Sequence, residues 1–168
     1  NSAGGKLWVA NLNAPGQVVV AGGVADIEWL QERGRSLGVR RVVPIKVAGA
    51  FHSPFMASAQ SALAKELASV SPGNPAFPVW SNVSAAPAER GEVTELLARQ
   101  VVAPVRFSES LEGMARTGIQ TFAHVGPGDV TAGMARRTVA DARVLIVNDL
   151  AGIDEAIRSL EGDQEEGS

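Results

Sequence analysis

Two short motifs in this sequence have residue types suited to acyl chemistry. The first, Gly34-Arg35-Ser36-Leu37-Gly38, fits the GxSxG pattern of a serine nucleophile elbow. That elbow works because a strand ends in a strained turn and a helix begins directly after it, which lifts the hydroxyl into the open. Here the order is reversed: the helical stretch Ile27-Glu28-Trp29-Leu30-Gln31-Glu32-Arg33 precedes Ser36, and a strand is expected after it. Without a helix N-terminus behind it, Ser36 lacks both exposure and an adjacent backbone oxyanion donor, so the match reads as accidental. The second motif is Gly49-Ala50-Phe51-His52-Ser53-Pro54, where a predicted strand ends and a helix begins. A neutral imidazole facing a cleft there could take a proton from a serine hydroxyl and return it to a thiolate leaving group. The plainer alternative is a partly buried loop histidine satisfied by a backbone carbonyl, which is the commoner fate of a histidine taken alone.

The elements that must position His52 follow from apolar spacing and turn residues. Residues 7–12 and 17–21 are β-branched apolar runs joined by Asn13-Ala14-Pro15-Gly16, whose Pro-Gly pair signals a turn. A helix is expected over 26–37, stopped by Gly38, and a further strand over 41–47. This β-β-α-β order suits the later part of a ferredoxin-like βαββαβ unit without its opening βα. Proline near the start and a stripe of Met56, Ala59, Leu63, Ala64 and Leu67 predict a helix over 54–70. Beyond it come a short strand at 79–83, helices at 92–102 and 108–117 separated by Pro104, a strand at 119–125, a helix at 130–139, a strand at Arg143–Val147 and a helix at 153–160. Strand-helix alternation after residue 78 argues for a parallel sheet covered by helices. The fold class is therefore α/β with a small α+β part: residues 1–47 form a partial ferredoxin-like subdomain, 48–160 part of a larger one, and 161–168 an acidic tail expected to be disordered.

Composition removes several function classes. With 45% apolar and 20% charged residues the chain reads as an ordinary globular protein. A net charge of -3 offers no basic footprint, so no nucleic acid is expected as partner. There is no cysteine, which excludes disulfides and thiolate ligands, and two histidines without HExxH spacing argue against a zinc site. No apolar run approaches the ~20 residues of a membrane span, and the start does not read as a signal peptide, so the cytoplasm is the expected location. The first residue is asparagine, which suggests that further chain precedes it.

Five motifs in order carry a resemblance: Ala10-Asn11-Leu12-Asn13-Ala14-Pro15-Gly16-Gln17-Val18-Val19-Val20-Ala21-Gly22, Gly49-Ala50-Phe51-His52-Ser53-Pro54-Phe55-Met56, Pro78-Val79-Trp80-Ser81-Asn82-Val83, Gln100-Val101-Val102-Ala103-Pro104-Val105-Arg106-Phe107 and Val125-Gly126-Pro127-Gly128. Together the chain resembles the C-terminal half of malonyl-CoA:acyl carrier protein transacylases. The resemblance implies the remainder of a ferredoxin-like subdomain and the C-terminal part of an α/β-hydrolase-like acyltransferase domain. It implies a two-step transfer in fatty acid or polyketide synthesis. A serine takes the malonyl group from coenzyme A, and the phosphopantetheine thiol of acyl carrier protein then accepts it. No cofactor is implied; malonyl-CoA is the substrate.

His52 matches the family's general base, and the main-chain oxygen of Gln100 matches the carbonyl that orients it. Phe51 is implied to crowd an added α-methyl on the acyl group, a discrimination of ~1–3 kcal/mol; plain core packing is its alternative. Asn11 and Asn13, expected on one strand face, are implied to line the acyl cleft, although Asn13 could equally serve the turn. The family's serine, its malonate-binding arginine and its glutamine loop do not appear. This chain alone is therefore expected to be inactive, and its partners are expected to be malonyl-CoA, acyl carrier protein and the N-terminal half of the same enzyme. The alternative is a non-catalytic module that keeps the cleft for coenzyme A or the carrier protein. Gly126-Pro127-Gly128 reads as a tight turn rather than a phosphate cradle. Arg40-Arg41 and Arg136-Arg137 are candidate contacts for an acidic carrier, or solvated charge.

Overall fold

The opening apolar runs pair with each other. The computed structural model describes residues 6–165, in which β1 (Leu7–Ala14) and β2 (Gln17–Gly22) form an antiparallel hairpin closed by Pro15-Gly16. Pairing runs from Leu7 opposite Gly22 to Ala14 opposite Gln17, with irregularities between Val9 and Asn11 and between Leu12 and Ala14. These bulges interrupt the strict two-residue period, so the ladder itself does not place Asn11 and Asn13 on one face. Helix α1 (Val24–Arg33) packs against β2 and tightens into a 3₁₀ turn at Gly34–Leu37.

The strand expected at 41–47 is absent. The segment is irregular, and Val43, Ile45 and Val47 are 54%, 61% and 67% exposed. Their alternate spacing is that of a strand, but a strand exists only with a ladder partner, and none of the described residues pairs with this segment. Pro44 removes one donor as well.

After the histidine loop a 3₁₀ turn at Pro54–Met56 leads into α2 (Ala57–Leu67), which packs on α3 (Val93–Arg99). The strand expected at 79–83 shortens to β3 (Trp80–Ser81) and pairs antiparallel with β4 (Ala86–Pro87) instead of joining a parallel sheet. The reason is local: residues 82–85 turn the chain straight back, with Ala85 at φ +51°. Helix α4 (Phe107–Arg116) follows.

The chain divides into two units, Asn1–Ser110 and Leu111–Ser168. In the second unit β5 (Thr121–Val125) and β6 (Arg143–Val147) are parallel, with Thr121 opposite Arg143, and α5 (Val130–Thr138) lies between them in sequence and packs on both. Ala132, Met134 and Ala135 are its buried face. Helix α6 (Leu150–Glu165) packs on β6 and starts earlier than expected because the Asp149 carboxylate accepts the Gly152 amide at 2.8 Å, an N-cap. It also runs past residue 160, so 161–165 of the expected tail are helical; 166–168 lie outside the described residues. Among the described residues no helix is long and apolar enough to cross a membrane.

Candidate functional site

The site is built on the C-terminal end of α3. The last carbonyls of a helix have no intrahelical donor and need one from elsewhere. Gln100 is the C-cap of α3, and its carbonyl accepts the Nδ1–H of His52 at 2.8 Å. The Ala103 carbonyl accepts the same Nδ1–H at 3.1 Å, and the His52 main-chain amide donates to the Val101 carbonyl at 3.0 Å. Both ring contacts are to oxygens that can only accept, so the neutral ring carries its hydrogen on Nδ1 and its lone pair on Nε2. Nε2 has no hydrogen-bond partner among the described residues and is not among the buried unpaired polar atoms, so it is open to its surroundings.

The loop that presents the ring is tightly determined. His52 has φ +59°, a left-handed conformation that costs a non-glycine residue about 1–3 kcal/mol unless its surroundings impose it. Ser53 beside it is fully buried, and its hydroxyl donates to the Ala50 carbonyl at 2.5 Å. The Met56 amide donates to the Ser53 carbonyl at 3.0 Å, and the Phe55 ring meets Trp8 of β1 edge-on, centroids 5.2 Å apart. Phe51 is 47% exposed.

Strand β1 reaches the other end of the same turn. The Val105 amide donates to the Ala10 carbonyl and the Leu12 amide to the Val105 carbonyl, both at 2.8 Å. These bonds flank Asn11, whose backbone forms a parallel bridge with Val105. Asn11 is thus brought beside the turn that holds His52; Asn13 lies at the second bulge, nearer the hairpin end. Both are half-buried, and neither side chain makes a hydrogen bond among the described residues.

Several contributors were not singled out from the sequence. Ala103 supplies the second carbonyl, Ser53 locks the loop, and Arg106 follows the turn. Arg106 donates Nε to Glu109 Oε1 at 3.0 Å, Nη2 to Glu109 Oε2 at 2.5 Å and Nη1 to the Val83 carbonyl at 3.2 Å. The hydrogen bond from Arg106, with the opposite charge behind it, outweighs partial burial and holds the Glu109 carboxyl below its usual range; the same bond raises Arg106. Their i,i+3 spacing was the available sequence signal.

Ser36 is placed differently from any nucleophile elbow. It sits in the 3₁₀ turn closing α1, its hydroxyl donating back to the Arg33 carbonyl at 2.7 Å. Both glycines of its motif serve local structure: a Cβ on Gly34 would meet the Val42 side chain at 2.7 Å, and Gly38 caps the turn at φ +85°. A mainly apolar cavity of about 270 Å³ is lined by Pro72, Val79, Trp80, Leu96, Leu97 and Gln100 among others, but not by His52, so it is not where the imidazole would act. His124, on β5 in the second unit, is hydrogen-bonded through Nδ1 to the Thr131 hydroxyl. Arg40 and Arg41 are exposed, and Arg136 donates to the Val144 carbonyl at 3.4 Å. No cluster of three metal-ligating side chains occurs among the described residues.

Residues 4–159 match the acyl transferase domain, and the chain belongs to this family. Within it, the chain is 35% identical over 158 residues to the malonyl CoA-acyl carrier protein transacylase of Bacillus subtilis, covering 94% of this chain and 50% of that protein. The crystal structure of the malonyl CoA-acyl carrier protein transacylase of Clostridium perfringens superposes with a TM-score of 0.90 at 29% identity, over 97% of this chain and 52% of that one. A malonyl-transacylase solved in complex with its type II PKS acyl-carrier protein gives 0.89 at 31% identity, over 94% of this chain and 52% of that one. The chain spans about half the length of the curated relatives it matches, namely their C-terminal half.

Proposed function

We propose that this chain contributes the general base and part of the substrate cleft to a malonyl-CoA:acyl carrier protein transacylase whose serine lies in the half of the relatives that this chain does not cover. The observation that carries this reading is the His52 ring, pinned through Nδ1–H to two carbonyls while Nε2 stays free. In the first step Nε2 takes the serine proton as the oxygen attacks the malonyl thioester carbonyl. The tetrahedral intermediate collapses with cleavage of the C–S bond, and the proton passes from Nε2 to the departing thiolate of coenzyme A. In the second step Nε2 takes the proton of the phosphopantetheine thiol as the sulfur attacks the acyl-serine ester; the tetrahedral intermediate collapses with cleavage of the C–O bond, and the proton passes from Nε2 to the departing serine oxygen. The charge that forms on the imidazolium faces the Gln100 carbonyl at the C-terminal end of α3, where positive charge is favoured, and the Ala103 carbonyl in the turn beyond it. A carboxylate is not needed to fix the tautomer.

Asn11, beside the turn, and the exposed Phe51 ring, next to His52, are assigned to the acyl cleft, and Asn13 to its outer part. Malonyl-CoA and acyl carrier protein are the substrates, no cofactor takes part, and the cytoplasm is the compartment. Incubated alone with radiolabelled malonyl-CoA, this chain should retain no label after denaturation; joined to the serine-bearing half, it should support labelling of that serine. Label mapping to Ser36 would overturn the assignment. A joined protein that binds coenzyme A yet never becomes labelled would favour the non-catalytic module.

A further inference from the structure

Among the described residues no side chain hydrogen-bonds the His52 ring nitrogens; the ring is oriented through two main-chain carbonyls, Gln100 and Ala103. Those carbonyls sit in an irregular turn after a seven-residue helix, and a carbonyl points where its backbone is held. The near end of the turn is held by α3. At the far end, Val105 is bonded to β1 and is followed directly by Arg106. Arg106 uses every face it has. Its amide donates to the Asn82 carbonyl at 3.2 Å, Nη1 to the Val83 carbonyl at 3.2 Å, and Nε and Nη2 to the two oxygens of Glu109; its carbonyl accepts both the amide and the hydroxyl of Ser110 at 3.0 Å. The residue therefore ties the chain after β3, the first turn of α4 and the end of the histidine-holding turn to one point.

We propose that the Arg106–Glu109 pair is a positioning device for the His52 imidazole, acting through the turn at residues 100–105. Its functional meaning rests on the reading of His52 as general base, but its geometry does not. Two other ion pairs make the comparison. Arg99–Glu95, at 3.2 Å, and Arg116–Glu112, at 3.9 Å, each link side chains of their own helix and reach no carbonyl elsewhere. Arg106 does reach one, and it needs the planar fork: Glu109 takes two parallel bonds while a third N–H faces Val83, an arrangement that a lysine ammonium cannot copy. A small rotation of the turn would lengthen one carbonyl contact of Nδ1–H and re-aim Nε2, and misplacement of a catalytic group by about 1 Å is enough to slow a reaction ~100-fold.

The test is made on the chain of residues 1–168, labelled with ¹⁵N in histidine, and reads the His52 Nδ1–H directly by NMR. Wild type should show one tautomer with a slowly exchanging Nδ1–H. Arg106→Lys and Glu109→Gln should each speed exchange of that proton roughly three- to fivefold and admit the second tautomer. Glu95→Gln, which breaks the pair confined to α3, should leave both signals in place. If Arg106→Lys fails to fold, Glu109→Gln decides alone, since it keeps the side-chain shape and one acceptor oxygen. Exchange within twofold of wild type in the folded variants, or an equal response from Glu95→Gln, would overturn the proposal. A failure of the general-base reading would look different: the ring would respond as described, while loss of His52 left malonyl transfer untouched.

Discussion

At the scale of the residue, His52 combines a conformation that disfavours any Cβ with two contacts that reward the ring. His52→Ala removes both ring hydrogen bonds, worth about 0.5–1.5 kcal/mol each, and keeps the Cβ in the left-handed region. His52→Gly loses the same bonds but relieves roughly 1 kcal/mol of that strain, partly offset by the greater freedom of glycine in the unfolded chain. The glycine variant should therefore melt at or above the alanine variant in thermal denaturation. An alanine variant that is clearly the more stable would mean that the loop relaxes to an ordinary conformation once the ring is gone, and that φ +59° is held by the ring rather than by its neighbours.

At the scale of the element, the Arg106–Glu109 pair gives a pH signature with a defined sign. Glu109 has its carboxyl lowered in the fold, so between the lowered value and the ordinary one near 4.5 the unfolded chain binds more protons than the folded. Its contribution is complete above that ordinary value and is lost as pH falls through the lowered one. Both side chains are more than a third exposed, which limits the pair to about 0.2–1 kcal/mol. Urea denaturation below pH 4.5 should show a shallower loss of stability for Glu109→Gln than for wild type; identical acid limbs would contradict the assignment.

The segment at 41–47 makes a second element-scale prediction. With Val43, Ile45 and Val47 exposed and no ladder, its amides should exchange with solvent far faster than those of β1 and β2 in hydrogen-exchange experiments. Comparable protection would show that it is paired. This segment also marks where sequence reading stops. The helices, the Pro-Gly hairpin and the β5–β6 strands are local patterns of spacing and turn residues, and they were legible. The strands at 41–47 and 79–83 depend on partners, which spacing does not name, and they did not form as expected. The site divides in the same way. His52 stood out by residue type and setting, but its acceptor lies 48 residues away and was assigned through family resemblance, while Ala103 and Arg106 act through backbone geometry that no motif displays.

At the scale of the whole molecule, the chain corresponds to about half of its malonyl-transacylase relatives, and the half it represents is the one that carries the histidine loop. In the proposed function the free Nε2 of His52 moves the proton in malonyl transfer. The most direct measurement is the rate of malonyl transfer from malonyl-CoA to acyl carrier protein by a polypeptide that joins this chain to a serine-bearing N-terminal half, wild type against His52→Ala. His52→Ala should lose roughly 10²–10⁴-fold in rate, the scale of removing a positioned general base, with circular dichroism unchanged. A folded His52→Ala protein that transfers malonate at close to the wild-type rate would contradict it and return His52 to the role of a loop residue that caps the end of α3.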